Sequence, residues 1–169
     1  MFQVNEVVVY GCHGVCKIME IGTLSMPMAD KEKVYYTLKP LYRKESVVYA
    51  PVENQRIVMR AVISKEEADA LIFKIPQIET VWIVNEKARE TQFKEALQTC
   101  NCEELITIIK TLYQRKQERL ESGKKVTIID EKYFHQAEEK LYEELAYVLG
   151  MDKNKVAVYI SEHIENAEV

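Results

Sequence analysis

The side chains in this sequence that are best suited to chemistry are four cysteines, three histidines and one tryptophan. The cysteines form two close pairs, Cys12 with Cys16 and Cys100 with Cys102, and His13 lies inside the first pair. A structural zinc site needs about four tetrahedral ligands, but these two pairs are far apart in the chain. Haem attachment requires Cys-x-x-Cys-His, and here the histidine stands between the cysteines. We therefore expect turn and core residues at these positions, and we predict no metal or other cofactor.

The other candidate acids, bases and nucleophiles do not form a catalytic group. His135 and His163 lie in segments with helical spacing and have no partnered serine or cysteine. The chain lacks a glycine-rich phosphate loop, a His-Glu-x-x-His motif and a nucleophile elbow. Its C-terminal part carries four clustered glutamates: Glu138, Glu139, Glu143 and Glu144. Their spacing favours a solvated helix face over paired acid–base catalysis, and we predict that the protein is not an enzyme.

Trp82 is the residue whose neighbours point to a binding partner. It precedes a segment that carries Lys87, Arg89 and Lys94. A second basic group follows: Arg115, Lys116, Arg119, Lys124 and Lys125. One interpretation is a core tryptophan between two helices, with the basic residues on a solvated face; the residues alone favour it. The other is an exposed apolar wedge beside a basic surface, as used in the DNA minor groove.

Charge is distributed unevenly along the 169 residues, which carry a net charge of −4. The composition, 47% hydrophobic and 30% charged, is typical of a globular protein rather than a disordered one. Residues 82–125 have nine basic and seven acidic side chains, whereas residues 126–169 have four and ten. This asymmetry indicates a basic face on a mixed domain and not a generally cationic protein.

The sequence also bears on location. It has no run of about 18 consecutive apolar residues, so no transmembrane helix is predicted. Residues 1–6 lack the basic flank and apolar core of a secretory signal, which favours the cytoplasm. In that compartment the cysteines would stay reduced.

The elements that must position these residues change character near residue 63. Before that point, apolar residues alternate as in β-strands within five short runs: residues 7–10, 15–23, 34–39, 46–50 and 56–60. Five short strands are too few for a large flat sheet, and closure into a barrel removes exposed edges. We predict a small SH3- or Tudor-like barrel in residues 1–63.

After residue 63 the apolar spacing becomes helical. Ser64 and Glu67 fit a capping box for a helix through about Phe73, and Pro76 interrupts it. Four more helices are predicted: residues 85–99, one with an apolar stripe over residues 105–112, one capped by Asp130, and residues 152–166. Residues 64–169 should form a helical bundle, and the whole chain is predicted to be α+β.

The sequence resembles the CarD/CdnL-like family of bacterial transcription regulators, whose N-terminal module is shared with transcription-repair coupling factor. The matching segments follow in order along almost the whole chain: FQVNEVVVYGCHGV (2–15), YYTL (35–38), VYAPVEN (48–54), LYQR (112–115) and AEEKLYEELA (137–146). The resemblance implies a division of labour between the two predicted domains.

The resemblance implies that residues 1–63 dock on the β subunit of RNA polymerase, through an edge strand that extends a polymerase sheet. The matching positions are Leu24, Ser46, Val47, Val48, Tyr49, Ala50 and Pro51. Family members carry basic residues near Leu24 and at the position of Tyr49. Tyr49 would stack or form a hydrogen bond instead, and Arg43 and Lys44 are candidates for the missing charge.

The resemblance also implies that residues 64–169 contact promoter DNA at the upstream edge of the melted region, with a tryptophan in the minor groove. Trp82 falls on that position, which changes the preferred interpretation from core residue to wedge. The basic residues named above would contact phosphates without reading sequence. Residues 83–86 (IVNE) replace a more basic run, so DNA affinity should be weak and depend on tethering to polymerase.

The sequence therefore predicts a bacterial, non-catalytic transcription regulator that binds the polymerase β subunit and stabilises the promoter open complex. It predicts no membrane partner and no small-molecule substrate. An alternative is a protein-interaction adaptor that keeps the barrel and uses the acidic helical domain to bind another protein. A third hypothesis, a small metal-dependent hydrolase, needs a ligand set that the sequence does not provide.

Overall fold

The structure is a computed structural model that describes residues 1–44, 47–54 and 56–167. The chain divides into two compact units, Met1–Val62 and Ile63–Val169. The first contains the strands and the second the helices, so the α+β fold class is confirmed.

The described residues of the N-terminal unit form a five-stranded antiparallel sheet. Its strands are β1 (Val7–Tyr10), β2 (Val15–Gly22), β3 (Tyr35–Pro40), β4 (Val48–Pro51) and β5 (Met59–Ala61). Their order in the sheet is β4-β3-β2-β1-β5, which leaves β4 and β5 at the two ends. The five predicted strand regions are all present. Closure of the sheet into a barrel stays a prediction.

Alternation along the strands builds the core of this unit. Val8 and Cys16 face each other across β1 and β2, and both are fully buried, as are Ile18 and Leu38. Ala50 brings β4 into the same cluster. Because successive strand side chains point to opposite faces, the burial of Ala50 leaves its neighbours in β4 on the outer face.

The Cys-His segment forms the tight turn between β1 and β2. Gly11 has a φ of 45°, and a Cβ atom there would lie 2.5 Å from Cγ2 of Ile57, so this position requires glycine. The ring of His13 stacks on Tyr10 with 5.6 Å between ring centres. Among the described residues, no three histidine, cysteine or acidic side chains are grouped as metal ligands would be.

The C-terminal unit contains five helices: α1 (Lys65–Lys74), α2 (Glu86–Thr99), α3 (Cys102–Glu121), α4 (Ile128–Leu149) and α5 (Val156–Ala167). The predicted capping box is confirmed, since Ser64 Oγ accepts from the N–H of Glu67 and the Glu67 carboxylate accepts from the N–H of Ser64. Pro76 lies in a 3-10 turn, Ile75–Gln77, that directly follows α1.

The predicted start of α4 was wrong. Thr127 is the N-cap, and its hydroxyl accepts from the N–H of Asp130 at 3.1 Å. Asp130 therefore lies in the first turn and is buried, with 3% of its surface exposed. The first residue of the helix, Ile128, is 85% exposed. An apolar residue on the solvent side interrupts the apolar stripe by which sequence analysis finds a helix start.

The solvated face predicted for the C-terminal glutamates was wrong for two of them. Glu143 and Glu144 are each 2% exposed. Glu144 accepts the N–H of Ile63 at 2.9 Å, and the thiol of Cys102 lies 3.3 Å from its other oxygen. The reason is the position of α4, which packs against α1, α2, α3 and α5 and so has few positions left for solvent.

No helix in the described ranges combines the length and the apolar character that crossing a membrane would demand.

Candidate functional site

The outer edge of β4 is the first candidate site. Tyr49 pairs with Thr37 of β3, and Pro51 pairs with Tyr35. The strand order puts β4 at the end of the sheet, so no strand among the described residues pairs with its other side. An edge strand of this kind presents backbone N–H and C=O groups to another chain.

Hydrogen-bond alternation shows which backbone groups of β4 face outward. The N–H of Val52 donates to the carbonyl of Val34 at 2.9 Å, so in this register Ala50 and Val48 also belong to the hydrogen-bonded pairs. The backbone groups of Tyr49 and Pro51 then point away from β3. Because proline has no N–H, Tyr49 provides an outward N–H and C=O, whereas Pro51 provides only C=O.

The side chains of the predicted polymerase-binding strand divide into two groups. Val47 and Tyr49 are outward, with 40% and 38% of their surface exposed. Val48 packs against the core and Ala50 is fully buried. Ser46 lies outside the described residues. The structure thus gives β4 one inward face that fixes the strand and one outward face that is accessible.

The segment between the 3-10 turn and α2, residues 78–85, is the second candidate site. It is called the Trp82 segment below. The ammonium of Lys110 on α3 donates to the carbonyls of Ile75 at 2.9 Å and Ile78 at 2.6 Å. The hydroxyl of Thr111 accepts the N–H of Val81 at 3.1 Å. These bonds fix the start of the segment on α3.

The ring of Trp82 is in contact with two arginines that the sequence placed in separate basic groups. Its side chain is half-buried. The guanidinium carbon of Arg89 is 4.1 Å from the centre of the indole ring, and that of Arg115 is 4.6 Å away. Both distances are within the range of cation–π interactions. The indole therefore stands beside positive charge and is only partly accessible.

Arg89 also supports the segment from inside. It is 9% exposed, and its Nη1 donates to the carbonyl of Ile83 at 2.9 Å and approaches that of Val84 at 3.4 Å. Its Nε is 3.9 Å from the buried carboxylate of Asp130. This arrangement departs from the expected phosphate contact, because the guanidinium is already surrounded by protein acceptors.

The remaining predicted DNA contacts fall into three groups. Lys87 and Lys94 are exposed on α2 and, at seven residues apart, lie on the same side of the helix. The ammonium of Lys94 lies 3.4 Å from the carboxylate of Glu90. The second group is in the last turns of α3, and the third in the turn before α4: Arg115, Lys116 and Arg119, then Lys124 and Lys125. Arg119 connects these two, since its Nε donates to the carbonyl of Lys125 at 2.7 Å.

A partly buried hydrogen bond connects α2 to α4. The hydroxyl of Tyr133 donates to Glu90 at 2.9 Å. This bond lowers the pKa of Glu90 from its usual value. Burial, together with the same contact, raises the pKa of Tyr133 to about 12. The pair is strongest when Tyr133 is neutral and Glu90 is ionised, which is the state at neutral pH.

Comparison with known families identifies the domain family of the N-terminal sheet. Residues 2–63 match the CarD-like/TRCF RID domain family. Residues 2–63 form a RID domain. RID domains are protein-interaction domains that bind the β subunit of RNA polymerase, and the match supports an RNA polymerase interacting module in residues 2–63. No curated protein matches the chain.

Within the RID domain, the predicted polymerase contacts come from two places. Val47, Tyr49 and Pro51 lie on the outward side of β4 or directly before it. Leu24 lies beyond the end of β2 and is half-buried. Arg43 is half-buried and Lys44 exposed, both on the chain that leads from β3 toward β4.

Sequence analysis missed the residues that shape the Trp82 segment. Lys110, Thr111 and Asp130 supply its polar anchors, and Val84 is its most exposed apolar side chain, at 86%. A signal for two of them was present, because Lys110 and Thr111 interrupt an otherwise apolar run in α3. Polar side chains that are buried or half-buried in such a run are expected to have a hydrogen-bond partner.

Proposed function

We propose that this protein is a transcription regulator that binds RNA polymerase through its RID domain and stabilises the promoter open complex through its helical unit. The match of residues 2–63 to the RID domain carries the first half of the proposal. The second half is supported by an accessible segment in which Trp82 stands beside two guanidinium groups.

Docking on polymerase would proceed by strand addition at β4. The outward N–H and C=O of Tyr49 would pair with a strand of the β subunit, and the missing N–H of Pro51 would end the pairing. Backbone hydrogen bonds make this contact tolerant of side-chain replacement. That tolerance explains how Tyr49 can stand where related proteins have a basic residue.

Action on DNA would depend on the Trp82 segment. Partial unstacking of a base step costs a few kcal/mol, and an apolar group that occupies the distorted step resists reclosure of the bubble. Lys87, Lys116 and the Lys124–Lys125 pair are exposed and would contact phosphates, which positions the segment without sequence readout.

DNA binding by the helical unit alone should be weak. Glu86 lies in the first turn of α2, next to Lys87, and residues 126–169 carry ten acidic and four basic side chains. These charges oppose approach to phosphate. Attachment to polymerase through the RID domain would compensate, because it raises the effective concentration of the segment near the bubble.

Footprinting of a polymerase–promoter complex tests this proposal. The wild-type protein should protect DNA at the upstream edge of the bubble and should lose this protection when Tyr49→Pro prevents docking. Tyr49→Phe is the matched control and should behave as wild type. Capture of polymerase with no change in the footprint would contradict the DNA half of the proposal.

An adaptor that contacts a second protein is the other candidate function. The observation that favours it is the acidic excess of residues 126–169, together with exposed apolar side chains there: Tyr147 at 40% and Val158 at 59%. In this case the footprint would stay unchanged, and Tyr147→Ser would release a partner that co-purifies with polymerase.

A further inference from the structure

In the Trp82 segment, the side chain of Val84 is more exposed to solvent than that of Trp82. Val84 is 86% exposed and Val81 is 45% exposed, whereas Trp82 between them is half-buried. The guanidinium carbons of Arg89 and Arg115, 4.1 Å and 4.6 Å from the centre of the indole ring, cover part of it. Val84 is therefore the apolar side chain that the segment exposes most to a partner.

The backbone at Val84 is held in place. The carbonyls of Ile83 and Val84 face Nη1 of the buried Arg89. The next residue, Asn85, caps α2 by accepting the N–H of Ala88 at 3.0 Å. A β-branched side chain also has few accessible χ1 rotamers. Val84 is thus an apolar group on a fixed support, and inserting it costs little ordering entropy.

We propose that Val84 is the side chain that enters the minor groove first, and that Trp82 acts behind it as a support held by Arg89 and Arg115. This inference rests on the proposed function and names the residue that performs it. Apolar side chains inserted between base steps are a general means of kinking DNA from the minor groove. Of the two supporting cations, Arg115 has the more exposed side chain, at 35% against 11% for Arg89, and is the one placed to reach a phosphate.

The test compares two valines of the same segment. Val84→Ser removes the apolar group at the tip, and Val81→Ser makes the same change at the less exposed site whose N–H is bound by Thr111. The lifetime of a promoter open complex is measured after addition of a competitor, with full-length protein and polymerase. Val84→Ser should shorten the lifetime gained from the protein by about tenfold, as expected for loss of one buried valine side chain. Val81→Ser should stay within about twofold of wild type.

A second variant at Val84 tests whether another apolar side chain can replace valine. Val84→Leu keeps an apolar tip and should retain the wild-type lifetime or extend it. Polymerase capture by each variant is measured in parallel, since Val84 and Val81 lie outside the RID domain and their replacement should leave docking unchanged.

Two results would overturn the inference while leaving the proposed function standing. One is that wild-type protein extends the open-complex lifetime and Val84→Ser extends it equally. The other is an equal loss with Val81→Ser and Val84→Ser, which would assign the effect to the segment as a whole. If wild-type protein gives no extension at all, the proposed function itself fails and the inference fails with it.

Discussion

The two candidate sites differ in the groups that form them: backbone groups at the edge of β4, and side chains at the Trp82 segment. The edge of β4 offers backbone groups, and its geometry follows from the strand order of a single small sheet. The Trp82 segment depends on side chains from three elements: Arg89 on α2, Lys110 and Arg115 on α3, and Asp130 on α4. A backbone site survives many substitutions, whereas a side-chain assembly is lost when one member changes.

The family match covers the unit that contains the backbone site and does not include the Trp82 segment. The RID match covers residues 2–63, the part for which we propose docking by main-chain pairing. In the helical unit, Trp82 is supported by particular side-chain contacts, such as that of Arg89 with the indole ring and with the carbonyl of Ile83. The following predictions test the comparison in order of decreasing effect.

Replacement of Arg89 should damage the helical unit most. Arg89→Met removes the donor to Ile83 and leaves the Asp130 carboxylate without its nearest cation, so the free energy of unfolding should fall by about 3 kcal/mol. Urea unfolding measures this loss. Lys87→Met, an exposed cation on the same helix, is the control and should change stability by less than about 0.5 kcal/mol. Equal stability of the two variants would contradict the supporting role of Arg89.

Replacements of Tyr49 should distinguish the backbone contribution to polymerase binding from the side-chain contribution. Tyr49→Pro removes the outward N–H and should weaken binding to the β subunit about tenfold or more, since one hydrogen bond is lost and the strand is distorted. Tyr49→Ala should weaken it far less. The measurement is a titration with the isolated β subunit. A similar loss for both variants would show that the side chain, and not the backbone, makes the contact.

The Tyr133–Glu90 bond gives the stability of the helical unit a dependence on pH in both acid and alkali. The raised pKa of Tyr133 means that its contribution is complete below the ordinary value of 10.0 and is lost as the pH rises through about 12. The lowered pKa of Glu90 means that its contribution is present above the ordinary carboxyl value and is lost as the pH falls through the folded-state value.

Tyr133→Phe tests this dependence. The variant should unfold with a free energy about 1 kcal/mol lower at pH 7, and the difference from wild type should shrink in alkali and in acid. Tyr113→Phe, at a 56% exposed position, is the matched control and should show no such difference. A constant difference between wild type and Tyr133→Phe at every pH would contradict the assignment.

The smallest expected effect concerns the charge next to the segment. Glu86→Gln removes a negative charge beside Lys87 and should tighten binding of the full chain to duplex DNA about twofold at low salt. Glu95→Gln is the control, because nine residues along α2 place it on the opposite side of the helix. Fluorescence anisotropy at two salt concentrations measures both. Equal DNA affinities for the two variants would show that DNA does not bind near Glu86 and Lys87.

Much of the fold could be predicted from local patterns. Alternation gave the strands and the 3.6-residue period gave the helices, because both are set by neighbours in sequence. The start of α4 was missed because Thr127 and Asp130 are both able to cap a helix, and the exposed Ile128 between them interrupts the apolar stripe. The burial of Glu144 was missed because it depends on which helices surround α4, and no local pattern contains that information.

The candidate sites were predictable to different degrees. The edge strand followed from family resemblance, and the strand order then showed which side of β4 pairs with no other described strand. Trp82 and its basic neighbours were identified as residues, but their arrangement was not. Arg115 is 33 positions from Trp82 in the sequence, and a contact over that distance is determined by helix packing.

The central claim is that a side-chain segment of the helical unit, delivered by the RID domain, holds the promoter bubble open. Its most direct test is the open-complex lifetime with saturating Trp82→Ala protein that still captures polymerase as well as wild type. The account predicts a lifetime close to that of polymerase alone. A lifetime equal to that with wild-type protein would contradict it.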